Sequence, residues 1–190
     1  MTDHDYLRRL PPGSYRAQAY VHWSMTIDER KQGWLTSDFY AQFREILTHT
    51  MFRYALTCPI YCCMPDHMHL LWVGIFNESN QIPAVKYFRK QINPILDVYG
   101  VAFQKQPYDH VLREEERNRE GFETLGEYIA RNPERAGLVL PDHFREYAYT
   151  GCLSPGYPEL NLWQPDYWER FWATYSFLRK HGLTRLTDEE

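Results

Sequence analysis

The stretch YCCMPDHMHLLWVG, residues 61–74, sets His67 and His69 one residue apart within a run that otherwise reads as a buried β-strand. Residues two apart on a strand point to the same side, so the two imidazoles stand together while Met68 and Leu70 face the other way. Two nitrogen ligands are thereby fixed by backbone geometry. Such a pair holds a divalent metal when a third group arrives from another element, with positions left for a substrate oxygen and water. The plainer alternative is that His67 ends a turn and His69 is a half-exposed strand residue. Spacing alone favours the plainer reading, because so short a pattern has many chance matches. His22, His49 and His110 also fall in ordered-looking segments, and spacing excludes none of them as a ligand. Cys58, Cys62, Cys63 and Cys152 form no CxxC pair, and three of them lie in or beside one strand-like run. They read as reduced core residues rather than zinc ligands.

The elements that must position these groups follow from length and pattern. A chain of 190 residues fits one compact domain with a substantial core. A hydrophobic fraction of 44% and an aromatic fraction of 16% exclude a disordered chain. No apolar run approaches the roughly 20 residues of a membrane helix, and the opening MTDHDYLRRLPPGSY lacks the apolar segment of a signal peptide. A cytoplasmic protein with no membrane partner is expected.

Along the chain, AQAYVHWSMTI (17–27) reads as a first strand and DERKQG as a turn. Residues 35–56 form a helix, with Thr36 or Ser37 as N-cap and Phe39, Phe43, Ile46, Leu47 and Met51 on its apolar face. CPIYCCM and HMHLLWVGI read as two strands joined tightly at Pro65-Asp66. Residues 79–99 give a second helix, kinked or shortened by Pro94. A strand-like stretch, 101–113, precedes a third helix with Phe122, Leu125 and Ile129 inward, ending at Asn132-Pro133. Beyond residue 140 the chain reads as loop until a last aromatic helix, PDYWERFWATYSFLRKHG. Strand, helix, two strands, helix, strand predicts an α+β fold with a ferredoxin-like antiparallel sheet covered by helices.

MPDHMHLLWVG resembles the histidine-hydrophobic-histidine (HUH) signature of the single-tyrosine transposases, in the form of the REP-associated tyrosine transposases. YIARNPERAGLV, Tyr128 to Val139, is similar to that family's tyrosine-bearing helix, and YDHVLR, Tyr108 to Arg113, resembles the stretch before it. The likeness spans roughly residues 15–150. Asp66 and Met68 stand where asparagine and valine are commoner, and Glu134 where a hydrophobic residue is usual; none of these removes a group the family relies on. The resemblance implies an HUH endonuclease domain over 1–150 and a C-terminal aromatic helical extension over 151–190 packed on it.

It also implies an activity. The family cuts single-stranded DNA by transesterification, with a tyrosine oxygen attacking a phosphodiester to leave a 5′-phosphotyrosine and a free 3′-hydroxyl. Tyr128 is the nucleophile carried over, against the plainer alternative of a core tyrosine. A phenol of pKa about 10 needs an electrophilic phosphorus, which Mg²⁺ or Mn²⁺ on His67 and His69 would supply. Hard cations favour oxygen, so a third, oxygen ligand is expected, and Asn132, four residues after Tyr128, matches the family's position for it. Glu123 and Glu127 compete for that role, and a helix-terminating role for Asn132 stays open. Arg135 and Arg113 are candidate phosphate contacts, as is the stripe Lys86, Arg89 and Lys90, which a solvated helix face explains equally. Gly137 is expected to supply a positive φ. Trp163, Tyr167, Trp168, Phe171, Trp172 and Tyr175 recur at helical spacing, the pattern of a helix docked on the core more than of a base-stacking platform.

The expected function is a metal-dependent single-strand DNA endonuclease and strand-transferase acting on REP-type hairpins in DNA transposition, as a monomer or homodimer. The alternatives are a non-catalytic hairpin-binding module derived from a transposase, and a phosphodiesterase that uses water. A net charge of −4 argues against a generic nucleic-acid coat and requires a focused basic groove.

Overall fold

In the computed structural model, which describes residues 9–182, the alternating apolar runs pair into one antiparallel sheet. Its strands are β1 (Tyr20–Thr26), β2 (Leu56–Met64), β3 (His67–Gly74), β4 (Tyr108–Val111) and β5 (Thr150–Leu153), in the order β4-β1-β3-β2-β5. The helices are α1 (Ser37–Arg53), α2 (Gln81–Val98), α3 (Arg119–Ala130), α4 (Asn132–Arg135) and α5 (Tyr167–His181). The first four strands with α1 and α2 make the ferredoxin-like arrangement that the sequence predicts. β5, four residues long and too short to show a period, adds an edge strand beside β2 in a region that reads as loop.

Both faces of the sheet are covered. On one, Val21, Trp23, Met25, Met68, Leu70 and Trp72 pack against Phe39, Phe43 and Leu47 of α1 and Ala84, Phe88 and Ile92 of α2. On the other, Ile60, Cys62, Met64, Leu71 and Val73 pack against Phe122 and Ile129 of α3 and Phe171 and Tyr175 of α5. β2 is buried along its whole length, which is why it reads as a continuous apolar run. All four cysteines are free thiols, and Cys58, Cys62 and Cys63 are buried.

Local chemistry sets the ends of the helices. Thr36 is the N-cap of α1, its hydroxyl accepting from the Phe39 amide at 3.2 Å, a contact worth about 1 kcal/mol. Gln81 opens α2 and is fully buried, yet each side-chain group is matched. It accepts from Trp23 Nε1 at 3.0 Å and donates to the Ala19 and Trp72 carbonyls, tying α2 to β1 and β3. Pro94 neither ends nor shortens α2, which runs on to Val98. Pro94 is exposed, so the carbonyl one turn back that lacks an amide donor can meet water.

Residues 1–8, part of the opening from which a signal peptide is judged absent, lie outside the described residues, as do residues 183–190. Among the described residues no helix is long and apolar enough to cross a membrane.

α5 lies against α3. Tyr167, Phe171 and Tyr175 are buried, and the Trp168 and Trp172 rings meet Phe122 at 5.7 and 5.0 Å between centroids. The approach is closest at Gly126, where a Cβ would stand 2.5 Å from the Trp168 ring. Gly126→Ala is therefore expected to force Trp168 out of its rotamer and cost roughly 1–3 kcal/mol in chemical denaturation, whereas exposed Thr124→Ala stays within about 0.5 kcal/mol of wild type.

Candidate functional site

His67 and His69 leave β3 beside the Pro65-Asp66 turn, on the face that α3 and α5 cover. β1 brings a third imidazole. Ser24 lies opposite His69 and Leu71 opposite His22, so pleating sends the His22 ring to the same face. His22 Nε2 is 3.0 Å from His69 Nδ1, and His69 Nε2 is 3.1 Å from His67 Nε2. His67 Nδ1 is 2.6 Å from Asp66 Oδ1, and the other Asp66 oxygen accepts from Arg30 at 2.8 Å. Five side chains thus form one hydrogen-bonded line from the buried β1 to the surface. His110, the β4 partner of His22, instead bonds Glu116 at 3.0 Å. His49 is on α1, in the opposite layer.

Burial governs the charges of this line. It depresses the His69 pKa to about 3 and that of His22 to about 4, with neighbouring imidazoles adding to the effect, so both rings are neutral at pH 7. Burial raises the Asp66 carboxyl, but hydrogen bonds from His67 and Arg30 outweigh it and leave Asp66 below its ordinary value. A carboxylate only accepts, so His67 Nδ1 donates to Asp66, and the single-proton form of the ring directs its Nε2 lone pair towards His69. Two nitrogens on adjacent positions of one ion, each at about 2.1 Å, stand about 3 Å apart. The two Nε2 atoms therefore fit as a pair of ligands. Among the described residues no group of three His, Cys, Asp or Glu side chains is arranged to hold a metal.

The second half of the site is the junction of α3 and α4, both of which rest on β2. Cys62 and Met64 of that strand pair with His69 and His67. Tyr128 and Asn132 do not share one helix as the sequence predicts: α3 ends at Ala130, Arg131 leaves helical geometry at φ −85° and ψ 2°, and Asn132 opens α4. The cause is Pro133, which has no N–H for the Ile129 carbonyl. The Asn132 amide supplies the missing donor, reaching the Ile129 carbonyl at 3.1 Å and that of Tyr128 at 3.2 Å. Its amide oxygen remains available to a ligand. Tyr128 is 43% exposed, and the Arg135 guanidinium lies 4.2 Å from its ring centroid. Gly137 turns the chain after α4 at φ +69°. Within the described residues, no hydrogen bond or ring contact joins Tyr128 or Asn132 directly to His67 or His69.

Other sequence candidates lie elsewhere. Lys86, Arg89 and Lys90 are on α2, across the sheet from the imidazoles, and Arg89 is engaged by the backbone carbonyls of Gln104 and Lys105. Arg113 follows β4 near Tyr20, whose β3 partner is Val73, the opposite end from His67. Glu127 pairs with Arg131 at 2.9 Å, and Glu123 accepts from Arg119 and from Trp172 Nε1. Sequence reasoning left His22 among several open histidines; its signal is the phase of β1 against β3, which needs the register.

No protein-family model and no curated protein matches the chain. Among solved structures it is similar to one described as "Structure of the REP associates tyrosine transposase bound to a REP hairpin", with a TM-score of 0.63 and 17% identity over 77% of this chain and 81% of that one. The two chains share one fold. The α+β architecture with a ferredoxin-like antiparallel sheet, expected from the sequence, is thus the observed one.

The neutral, buried His22 and His69 give a pH signature. Their folded pKa values lie below the unfolded value of about 6.5, so the unfolded chain binds more protons, and stability is full above pH 6.5 and declines as pH falls towards 4. Chemical denaturation in chelator-containing buffer should show a loss of a few kcal/mol from pH 7 to pH 5, at roughly 1.4 kcal/mol per pH unit per ring; equal stability at both pH values contradicts the burial of neutral imidazoles.

Proposed function

We propose that this protein is a metal-dependent single-strand DNA endonuclease and strand-transferase that acts on REP-type hairpin DNA through a 5′-phosphotyrosine intermediate. The observation that carries this reading is the His67–His69 pair, with Nε2 atoms 3.1 Å apart, in a fold shared with a transposase solved on a REP hairpin. The exposed Tyr128 on the neighbouring helix supports it.

In this reading His67 and His69, with the Asn132 amide oxygen as the expected third ligand, would hold Mg²⁺ or Mn²⁺, which would polarise the scissile phosphate and offset its charge. Asp66 orients His67 through Nδ1. The Tyr128 hydroxyl gives its proton to water as its oxygen attacks phosphorus in line, the bond from phosphorus to the 3′ oxygen breaks, and that oxygen takes a proton from water to leave as the 3′-hydroxyl. Rejoining is the reverse. Arg135, over the ring face of Tyr128, places a positive charge where the phenol develops negative charge. The transposase-like catalytic unit covers residues 1–150; in the extension after it, β5 continues into the sheet and α5 packs against α3, and the protein works in the cytoplasm as a monomer or homodimer.

The test is incubation with a labelled hairpin carrying single-stranded flanks, with Mn²⁺ or Mg²⁺. A denaturant-resistant protein–DNA adduct is expected, absent in Tyr128→Phe and reduced at least about 100-fold in His67→Ala. Cleavage that survives Tyr128→Phe assigns the attack to water instead. Hairpin binding with no cleavage under any divalent ion makes the chain a DNA-binding module derived from a transposase.

A further inference from the structure

With a single N–H on each ring, the line His22–His69–His67 has two proton arrangements in which His67 donates to Asp66. In both, Asp66 keeps the His67 proton on Nδ1 and leaves Nε2 as a lone pair. In the first, His69 carries its proton on Nε2 and donates to His67 Nε2 across 3.1 Å, while its Nδ1 accepts from His22 Nε2–H across 3.0 Å. Every contact is then a matched hydrogen bond, and all run from β1 towards Asp66. In the second, His69 carries its proton on Nδ1 and donates to His22 Nε2. The two Nε2 lone pairs then face each other, an arrangement favourable only with a cation between them.

We propose that His22 is a positioning residue that sets the tautomer of His69, donating to Nδ1 in the metal-free protein and accepting from it when His67 and His69 ligate a divalent cation. The inference rests on the reading of that pair as metal ligands. His22 does for His69 what Asp66 does for His67, with one difference. Asp66 is a fixed acceptor, whereas an imidazole reverses its role by moving its own proton between ring nitrogens. His22 is 9% exposed and its backbone is held on both sides by β3 and β4, so the ring cannot swing away to be replaced by water without cost.

The experiment is Mn²⁺ titration of the full chain without DNA, followed by calorimetry or electron paramagnetic resonance, for wild type, His22→Leu and His22→Gln. Loss of the outer partner is expected to weaken Mn²⁺ binding about 10- to 100-fold in His22→Leu, with His22→Gln, whose amide can donate or accept, recovering most of it. Long-range ¹⁵N–¹H correlation spectra of wild type give a second readout that a merely structural role would not move. His69 should carry its proton on Nε2 without metal and on Nδ1 with Zn²⁺ as diamagnetic probe, with the His22 tautomer changing in step. Wild-type affinity in a folded His22→Leu, or a His22 tautomer indifferent to Zn²⁺, overturns the inference while leaving the metal site standing; the spectra decide it if His22→Leu fails to fold. A wild type that binds no divalent ion removes the metal reading itself, and the role of His22 with it.

Discussion

The register of β3 between its two neighbours is the constraint on which the site depends. Thr26 and Met64 flank His67, and Ser24 and Cys62 flank His69, so both imidazoles face α3 while Met68 and Leu70 enter the core under α1 and α2. A slip of one residue would reverse every side chain of the strand. It would press two imidazoles into the packing around Trp23, Phe43 and Phe88, where an unmatched polar group costs about 1–3 kcal/mol, and would turn Leu70 and Trp72 out of that core. The aromatic core is therefore more than ballast. Its apolar demand on one face of β3 is what aims the histidines to the other.

A second constraint acts at the α3–α4 junction. Proline at 133 ends α3, and the asparagine before it repairs the broken hydrogen bonds with its own side chain. The repair fixes the Asn132 amide, nitrogen towards the helix and oxygen away from it. On the proposed reading the ligating role, which reads as an alternative to the structural one in the sequence, would use the other atom of the same amide. The same break lets Arg135 fold back over Tyr128.

How much of this was legible in the sequence follows from the range of each interaction. The helix of Phe39, Phe43 and Leu47, the hairpin at Pro65-Asp66 and the ferredoxin-like order all rest on local periodicity and turn chemistry, and they emerge from it directly. β5 did not, because four residues carry no period and its partner is about ninety positions away. The end of α3 was legible to within two residues through Pro133, but not the fresh turn of α4 after it. At the site, His67 and His69 could be paired because they share a strand. His22 joins them only through the β1–β3 register, a non-local fact that spacing cannot supply. The α2 stripe was legible as basic but not as remote, since which layer a helix covers depends on the handedness of the whole arrangement.

On the proposed reading, that remoteness bears on how an acidic chain would meet DNA. Lys86 and Lys90 are separated from the imidazoles by the sheet, and Arg113 lies past the far end of β1. At physiological ionic strength charges are screened over about 8 Å, so these residues contribute little field at His67 and His69. Nearer by, Arg30 is paired to Asp66, and His22 and His69 are held neutral by burial. Beside Tyr128, Arg135 contributes a fixed positive charge. On the proposed reading, a divalent ion on the imidazole pair is the largest local charge, and it couples DNA capture to metal occupancy more tightly than in a protein whose groove is already basic.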